Sequence, residues 1–268
     1  KEYSRLSQHI GLFPLVRVAP ADMELVGGGT ECRRKFIDML ISQTDATYLN
    51  HLIRYNSALQ QRNRLLRDHI ADPNLYIAVE MTMEMSAEYI TNARREITQR
   101  LRDTFIRHYR DIARTQETPG IEYRSTLDMS GRRYCELLEE SRRRDEIVGH
   151  TTTGPHRDDL ELTLDGMAVK NTASQGQSKT FTIALRLAQY EFMHEATGMR
   201  PLLLLDDIFD KLDSRRVANI VEIVNRDIFG QIFITDTNRD HLDSIMSAMT
   251  GADYSLWNVS SGKFEPIK

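Results

Sequence analysis

The sequence predicts an α/β domain interrupted by a helical insert, and three features carry that prediction. The run Pro201-Leu202-Leu203-Leu204-Leu205-Asp206-Asp207 reads as a strand buried on both faces that delivers two carboxylates at its carboxyl end. Residues 31 to 116 carry helical periodicity almost throughout. After Thr118-Pro119-Gly120 the texture changes to strands alternating with helices.

Taken in order, Leu12 to Val18 predicts a short strand, followed by a turn at Ala19 to Asp22 and a flexible Gly27-Gly28-Gly29. Thr30 is positioned to cap the next helix, with Arg33 near the capping-box position without matching it. Tyr48, Leu52, Tyr55, Leu59, Arg62 and Leu66 follow four-three spacing, and Arg62 interrupts the apolar seam. Pro73 ends that helix or starts the next. Tyr89, Ala93, Ile97, Leu101, Phe105, Tyr109 and Ile112 then form one apolar stripe on a long helix. The two stripes are expected to pack on each other as an antiparallel arm.

Downstream, Ile121 to Leu127 alternates like a strand and Arg132 to Asp145 reads as a helix. Asp165-Gly166 between Leu160–Leu164 and Met167–Val169 is a two-residue hairpin signal. A helix over 177–198, the leucine strand, a helix over 214–227 and a strand Gln231 to Thr235 follow. A short helix after Arg239 and a strand over Tyr254 to Val259 close the pattern.

Composition bounds the class. The 268 residues are 40% hydrophobic and 28% charged, ordinary for a globular protein. No apolar run approaches the roughly 20 residues of a membrane span, and Lys1 to Arg5 shows neither a signal-peptide core nor an initiator Met. A cytoplasmic location and missing upstream residues are the expectations. Cys32 and Cys135 are too far apart for a CxxC motif and are expected as free thiols. A net charge of −4 gives no global bias towards nucleic acid. The arginines do cluster, at Arg33-Arg34, Arg62 to Arg67, Arg94 to Arg110 and Arg142 to Arg144. They are either a phosphate-facing surface or solvated helix faces paired with interspersed acids.

The chemistry concentrates in a few places. Carboxylates at a buried strand's end need a partner. A divalent cation on Asp206, with Asp207 acting on a water near a terminal phosphate, would supply one. The alternative is a solvated loop whose acids cap the next helix or pair with Arg215 or Arg216. Ser174, Gln175, Gly176 and Gln177 open a helix and so offer backbone N–H groups and a hydroxyl to an anion, or form an ordinary serine cap. Asp210 to Asp213 sits where a second subunit's nucleotide would be sensed, or is a turn with Asp213 as helix cap. Gly154 to Asp159 reads as a polar turn between strands, in which His156 and Arg157 could touch phosphate or DNA while Asp158 and Asp159 hold Arg157, or in which His156 is structural. The serine turn followed by the leucine-aspartate strand suggests nucleotide hydrolysis of the ABC type. Yet the sequence has no G-x-x-x-x-G-K-[ST] loop. Gly176-Gln177-Ser178-Lys179-Thr180 imitates it out of register.

Together these residues resemble the RecF family of bacterial recombination and repair ATPases, related to Rad50 and SMC heads. The resemblance rests on His9 to Leu12, Pro20 to Val26, Leu40 to Gln43, Tyr55 to Asn63, Gly154 to Leu160 and Ala173 to Gln177. It implies a partial P-loop-type ABC-ATPase head with an inserted helical lobe II or arm. Residues 1–30 would end lobe I, 31–150 form the arm, and 151–268 the C-terminal ATPase part. It implies that Ser174, Gln175, Gly176 and Gln177 are the signature motif contacting ATP held by the opposite subunit of a homodimer. Asp206 would be the Walker B ligand of Mg²⁺, Asp207 the catalytic carboxylate where many ABC proteins carry Glu, and Asp210 and Asp213 part of the D-loop. Asp236 stands where ABC proteins usually have a switch histidine, and no Gln occupies the Q-loop region at Ala19 to Asp22. The resemblance implies DNA, RecR and RecO as partners and a role in loading recombinase at gaps. It also implies that roughly a quarter of the family's length, including Walker A, precedes Lys1, so that this chain alone would not bind ATP tightly. A non-catalytic DNA-binding or scaffold module is the competing class.

Overall fold

Apolar side chains at strand and helix spacing draw one continuous core through the computed structural model, which describes residues 9–127, 131–210, 212–237, 242 and 253–267. Strand β1 (Leu15–Val18) is followed by a 3-10 turn at Pro20–Met23 and a short helix α1 (Glu24–Gly27). Helix α2 (Thr30–Thr44) begins at Thr30 itself. Its N-cap is Gly29, with no side-chain capping bond, so Thr30 lies one position too late to cap it. Asp45 caps α3 (Ala46–Arg67) by accepting from the Thr47 and Tyr48 amides. Asp72 caps α4 (Pro73–Ala113), so Pro73 starts a helix, at the position where its missing N–H costs nothing.

Helix α4 has 41 residues, about 60 Å at ~1.5 Å per residue. Its first half packs on α3, and of the expected stripe only the Tyr89 end meets that helix. It then outruns α3, and its second half packs along α7 (Gln175–Thr197) through Phe105, Tyr109 and Phe181. The expected antiparallel arm is therefore half of a longer spine that enters the α/β part.

The remaining elements are β2 (Pro119–Arg124), α5 (Tyr134–Val148), β3 (Asp159–Leu164), β4 (Met167–Ala168) and α6 (Val169–Thr172). Then come α7, β5 (Leu202–Asp206), α8 (Ser214–Val224), β6 (Ile232–Thr235), β7 (Trp257–Ser260) and β8 (Lys263–Pro266). Strands β2, β3 and β4 form an antiparallel sheet. Its β3–β4 hairpin turns on Asp165 and Gly166, both at positive φ. Strands β7 and β8 pair as a separate hairpin, where the sequence predicts a single strand. The short helix expected after Arg239 lies outside the described residues.

The sheet that positions the carboxylates is parallel, in the order β1-β5-β6. The expectation that β5 is buried on both faces is corrected by its alternation. Leu203 and Leu205 are buried with Val16 and Val18, whereas Leu202 and Leu204 are half-buried. Leu15 and Phe233, on the flanking strands, are exposed. Among the described residues, helical cover reaches only one face of this sheet fully.

Candidate functional site

A parallel strand places its last side chains at the carboxyl edge of the sheet, where open α/β folds gather ligands. Asp206 is the last residue of β5, is exposed, and lies in register with Thr235 at the end of β6. The Thr235 hydroxyl donates to Asp206 Oδ1 at 2.6 Å. The next residue, Asp207, has φ +49°, in the left-handed region that aspartate tolerates better than most side chains. Its amide donates to the Thr235 carbonyl at 3.0 Å, so β6 holds both ends of the Asp206-Asp207 step. Neither aspartate pairs with Arg215 or Arg216, and Asp213 takes that place instead.

Among the described residues no group of three His, Cys, Asp or Glu side chains could hold a metal. Asp206 with the Thr235 hydroxyl is still a fitting donor set for Mg²⁺, which uses one or two carboxylates and completes its sphere with water and phosphate oxygens.

The second group of residues opens α7. Ser174 is the N-cap: its Oγ accepts from the Gln177 amide at 3.2 Å, and its own amide donates to Gln177 Oε1 at 2.7 Å. This closed capping box leaves the first amides of α7 and the serine hydroxyl hydrogen facing solvent. Gln177 Nε2 in turn donates to Glu117 Oε1 at 2.6 Å. Tyr109 and Thr115 donate to Glu117 Oε2, each at 2.8 Å. Burial pushes the Glu117 carboxyl up, but the hydrogen bonds from Gln177, Thr115 and Tyr109 outweigh it and hold it below the ordinary glutamate value.

Long-range contacts join this turn to the loop after β5. Lys179 Nζ donates to the Asp210 carbonyl at 2.6 Å. Arg216, on α8, lies against Gly176 so closely that a Cβ there would stand 2.6 Å from its Nη1. Asp213 caps α8 through the Arg216 amide at 2.9 Å. Ser174, Gln175, Gly176 and Gln177 therefore share one surface with Asp210 and Asp213. Lys211, between them, lies outside the described residues. Lys179, whose sequence context imitates a phosphate-binding loop, is spent on the Asp210 carbonyl instead. Thr235 and Glu117 carry no motif, and Arg216, named in the sequence only as a possible partner of the strand-end acids, lies instead beside Gly176. A polar residue closing the strand beside β5 is the only sequence signal that pointed to Thr235, and none pointed to Glu117.

The Gly154 to Asp159 segment corrects its expectation. It is a 3-10 turn between α5 and β3, not a link between strands, and much of it is buried. Arg157 donates to the Thr151 carbonyl rather than to either aspartate. Asp158 accepts from Tyr123 and faces buried Arg94, while Asp159 pairs with Arg33 at 2.8 Å. His156 sits between the Tyr55 hydroxyl at 2.8 Å and the Thr151 carbonyl at 3.0 Å. Burial, reinforced by nearby Arg157 and Arg34, lowers its pKa to about 4. Gly154 has φ +130°, and a Cβ would meet the Tyr134 hydroxyl at 2.1 Å, so only glycine fits.

Many clustered arginines are internal ties. Arg62 is fully buried between Glu80 and Asp145, at 2.8 and 2.7 Å, which explains its place in an apolar seam. Arg94 pairs with Asp38, Arg142 with Glu80 and Arg107 with Glu191. Arg102, Arg110, Arg143 and Arg144 are exposed. A cleft of about 620 Å³ between α4 and the β2–β3 sheet is lined by Arg95, Gln99, Arg102 and Arg124, on different elements from Asp206.

The geometry can be set against known proteins. A curated Parabacteroides distasonis protein, DNA replication and repair protein RecF, is 46% identical over 268 residues, covering all of this chain and 73% of its own length. The chain belongs to the RecF family. The RecF of Porphyromonas gingivalis strain W83 is 43% identical over 263 residues, covering 98% of this chain and 72% of its own. No family model matches. Among solved structures, the recombination mediator protein RecF-ATPrS of the RecFOR pathway superposes with a TM-score of 0.82 at 24% identity, over 99% of this chain and 71% of that one. An Smc head bound to the C-winged helix domain of ScpA gives 0.52 at 12% identity, over 92% and 53%. These likenesses show that the RecF-family fold is that of an ABC-type ATPase head. No described helix is long and apolar enough to cross a membrane.

Proposed function

We propose that this chain supplies one face of an ATP-binding sandwich in a DNA-repair ATPase, working as a homodimer closed around nucleotide at DNA gaps to help load recombinase. The abutment of the 174–177 turn with the 210–213 loop carries the reading. Two segments remote in sequence form a single solvent-facing surface, tied by Lys179 and Arg216. The curated relatives are named for DNA replication and repair, and a solved relative is the recombination mediator protein RecF-ATP of the RecFOR pathway. RecR and RecO are the expected protein partners, by the RecFOR pathway of that relative.

On this reading residues 1–30 end lobe I, 31–150 form lobe II, and 151–268 form the C-terminal ATPase part. Ser174, Gln175, Gly176 and Gln177 present hydrogen-bond donors to the phosphates held by the opposite subunit. Asp210 and Asp213 line the same interface. Asp206, steadied by Thr235, would hold Mg²⁺, which when bound neutralises charge on the phosphates. Asp207 would orient the attacking water and accept its proton.

The test uses the chain extended at its amino end to the length of its relatives. Asp207→Asn should stop hydrolysis while the ATP-bound dimer persists, and DNA affinity should fall steeply with salt. Normal hydrolysis by Asp207→Asn would remove the catalytic assignment.

A further inference from the structure

We propose that Glu117 is a positioning residue that turns the Gln177 amide so that its oxygen is spent within the 174–177 turn, leaving the turn's backbone donors to fit the phosphates of a nucleotide. The inference rests on the reading given under Proposed function and adds a residue to it.

A carboxylate can only accept hydrogen bonds, whereas a glutamine amide can present either end. Glu117 Oε1, 2.6 Å from the Gln177 side chain, therefore dictates which end of that amide it meets: the NH₂ group. The amide oxygen is then turned to the Ser174 N–H at 2.7 Å. The Gln177 N–H takes a lone pair of Ser174 Oγ. After these bonds, the backbone N–H groups of Gln175 and Gly176 and the serine hydroxyl hydrogen are left as donors at the exposed end of α7. Arg216 adds a cation beside Gly176. The Gln177 Oε1 acceptor, which would repel a phosphate, is consumed, and the exposed Gln175 carboxamide can present its NH₂ end.

Glu117 is itself placed by the spine. It lies in the loop directly after α4, and Tyr109, in the last turns of that helix, donates to it. The same carboxylate thus joins the end of the arm helix to the start of the signature helix.

The experiment is a swap in the chain extended to the length of its relatives, reading ATP-driven dimerisation by analytical ultracentrifugation and unfolding by urea in parallel. Glu117→Ala should weaken ATP-driven dimerisation at least tenfold. In the double variant Glu117→Gln with Gln177→Glu the bond is kept with its direction reversed, residue 117 now donating to residue 177, and the serine-glutamate capping box is retained. Stability should therefore return to the parent value. Dimerisation should stay at least tenfold weakened, because the swap moves a negative charge onto the phosphate-facing turn. A double variant that restores both stability and dimerisation would show that the link is only structural and overturn the inference. So would a Glu117→Ala protein that dimerises like the parent. A parent that does not dimerise on ATP would instead overturn the function on which the inference rests.

Discussion

Lys179 Nζ donates to the carbonyl oxygen of Asp210 at 2.6 Å, across 31 residues of sequence. The contact ties the start of α7 to the loop that follows β5 and so joins the two halves of the candidate surface. Lys179→Met keeps the side chain's apolar stem and removes the bond. A hydrogen bond from a charged group is worth about 1.5–3 kcal/mol when well sheltered and less at an exposed site. The expected result is a near-normal unfolding midpoint with ATP-driven dimerisation weakened about fivefold, a change of ~1 kcal/mol, measured by sedimentation.

Thr235→Val removes the donor to Asp206 Oδ1 while keeping the branched shape of the strand residue. Asp206 loses its orientation and not its charge. Mg²⁺ should still bind, with the Mg²⁺ concentration for half-maximal hydrolysis raised several-fold and urea stability unchanged. Unaltered Mg²⁺ dependence would separate Thr235 from the metal site.

Arg62 carries the largest stability effect expected in the arm. Its guanidinium is fully buried and bonded to Glu80, Asp145 and Thr151. Arg62→Ala leaves Asp145 buried without a cation, while Glu80 keeps Arg142; breaking such a buried pair costs about 3–5 kcal/mol. Urea unfolding should show the loss, and a change under about 1 kcal/mol would contradict the burial of an intact ion-pair network.

Arg62 also shows how far the sequence could be read. The four-three spacing placed it in a core seam, and only tertiary structure shows how: Asp145 arrives from α5, 83 residues away. Local patterns made the long helices, the Asp165-Gly166 hairpin and the carboxylate-bearing strand legible, because periodicity and turn chemistry act over a few residues. What was not legible depends on pairing between remote segments. The leucine run looked symmetrical, but which face is covered is decided by the helices packed on it. Gly154 to Asp159 looked like an exposed polar motif because its buried partners, Arg94, Arg33 and Tyr55, lie far away in sequence. Ser174 and Asp206 were visible as motifs, while Glu117, Arg216 and Thr235 support them with no motif of their own.

His156 makes stability depend on pH. Its pKa falls from the ordinary 6.5 to about 4, because burial excludes the charged form. The neutral ring donates from Nε2 to the Thr151 carbonyl and accepts at Nδ1 from Tyr55. Between pH 4 and 6.5 the unfolded chain binds more protons here than the native one. The contribution is therefore complete above about pH 6.5 and is lost as pH falls towards about 4, with a slope of at most ~1.4 kcal/mol per pH unit. Urea titrations across this window should show the slope, and His156→Gln should reduce it.

The most direct test of the central claim is a titration of Mg²⁺-ATP into this chain and into its amino-terminally extended form, following nucleotide binding and dimerisation together. The account predicts tight binding and dimer formation by the extended form, and neither by this chain alone. Tight binding by this chain alone would contradict it, because the phosphates would then be held by residues other than those assigned, with the turn around Lys179 the first place to look.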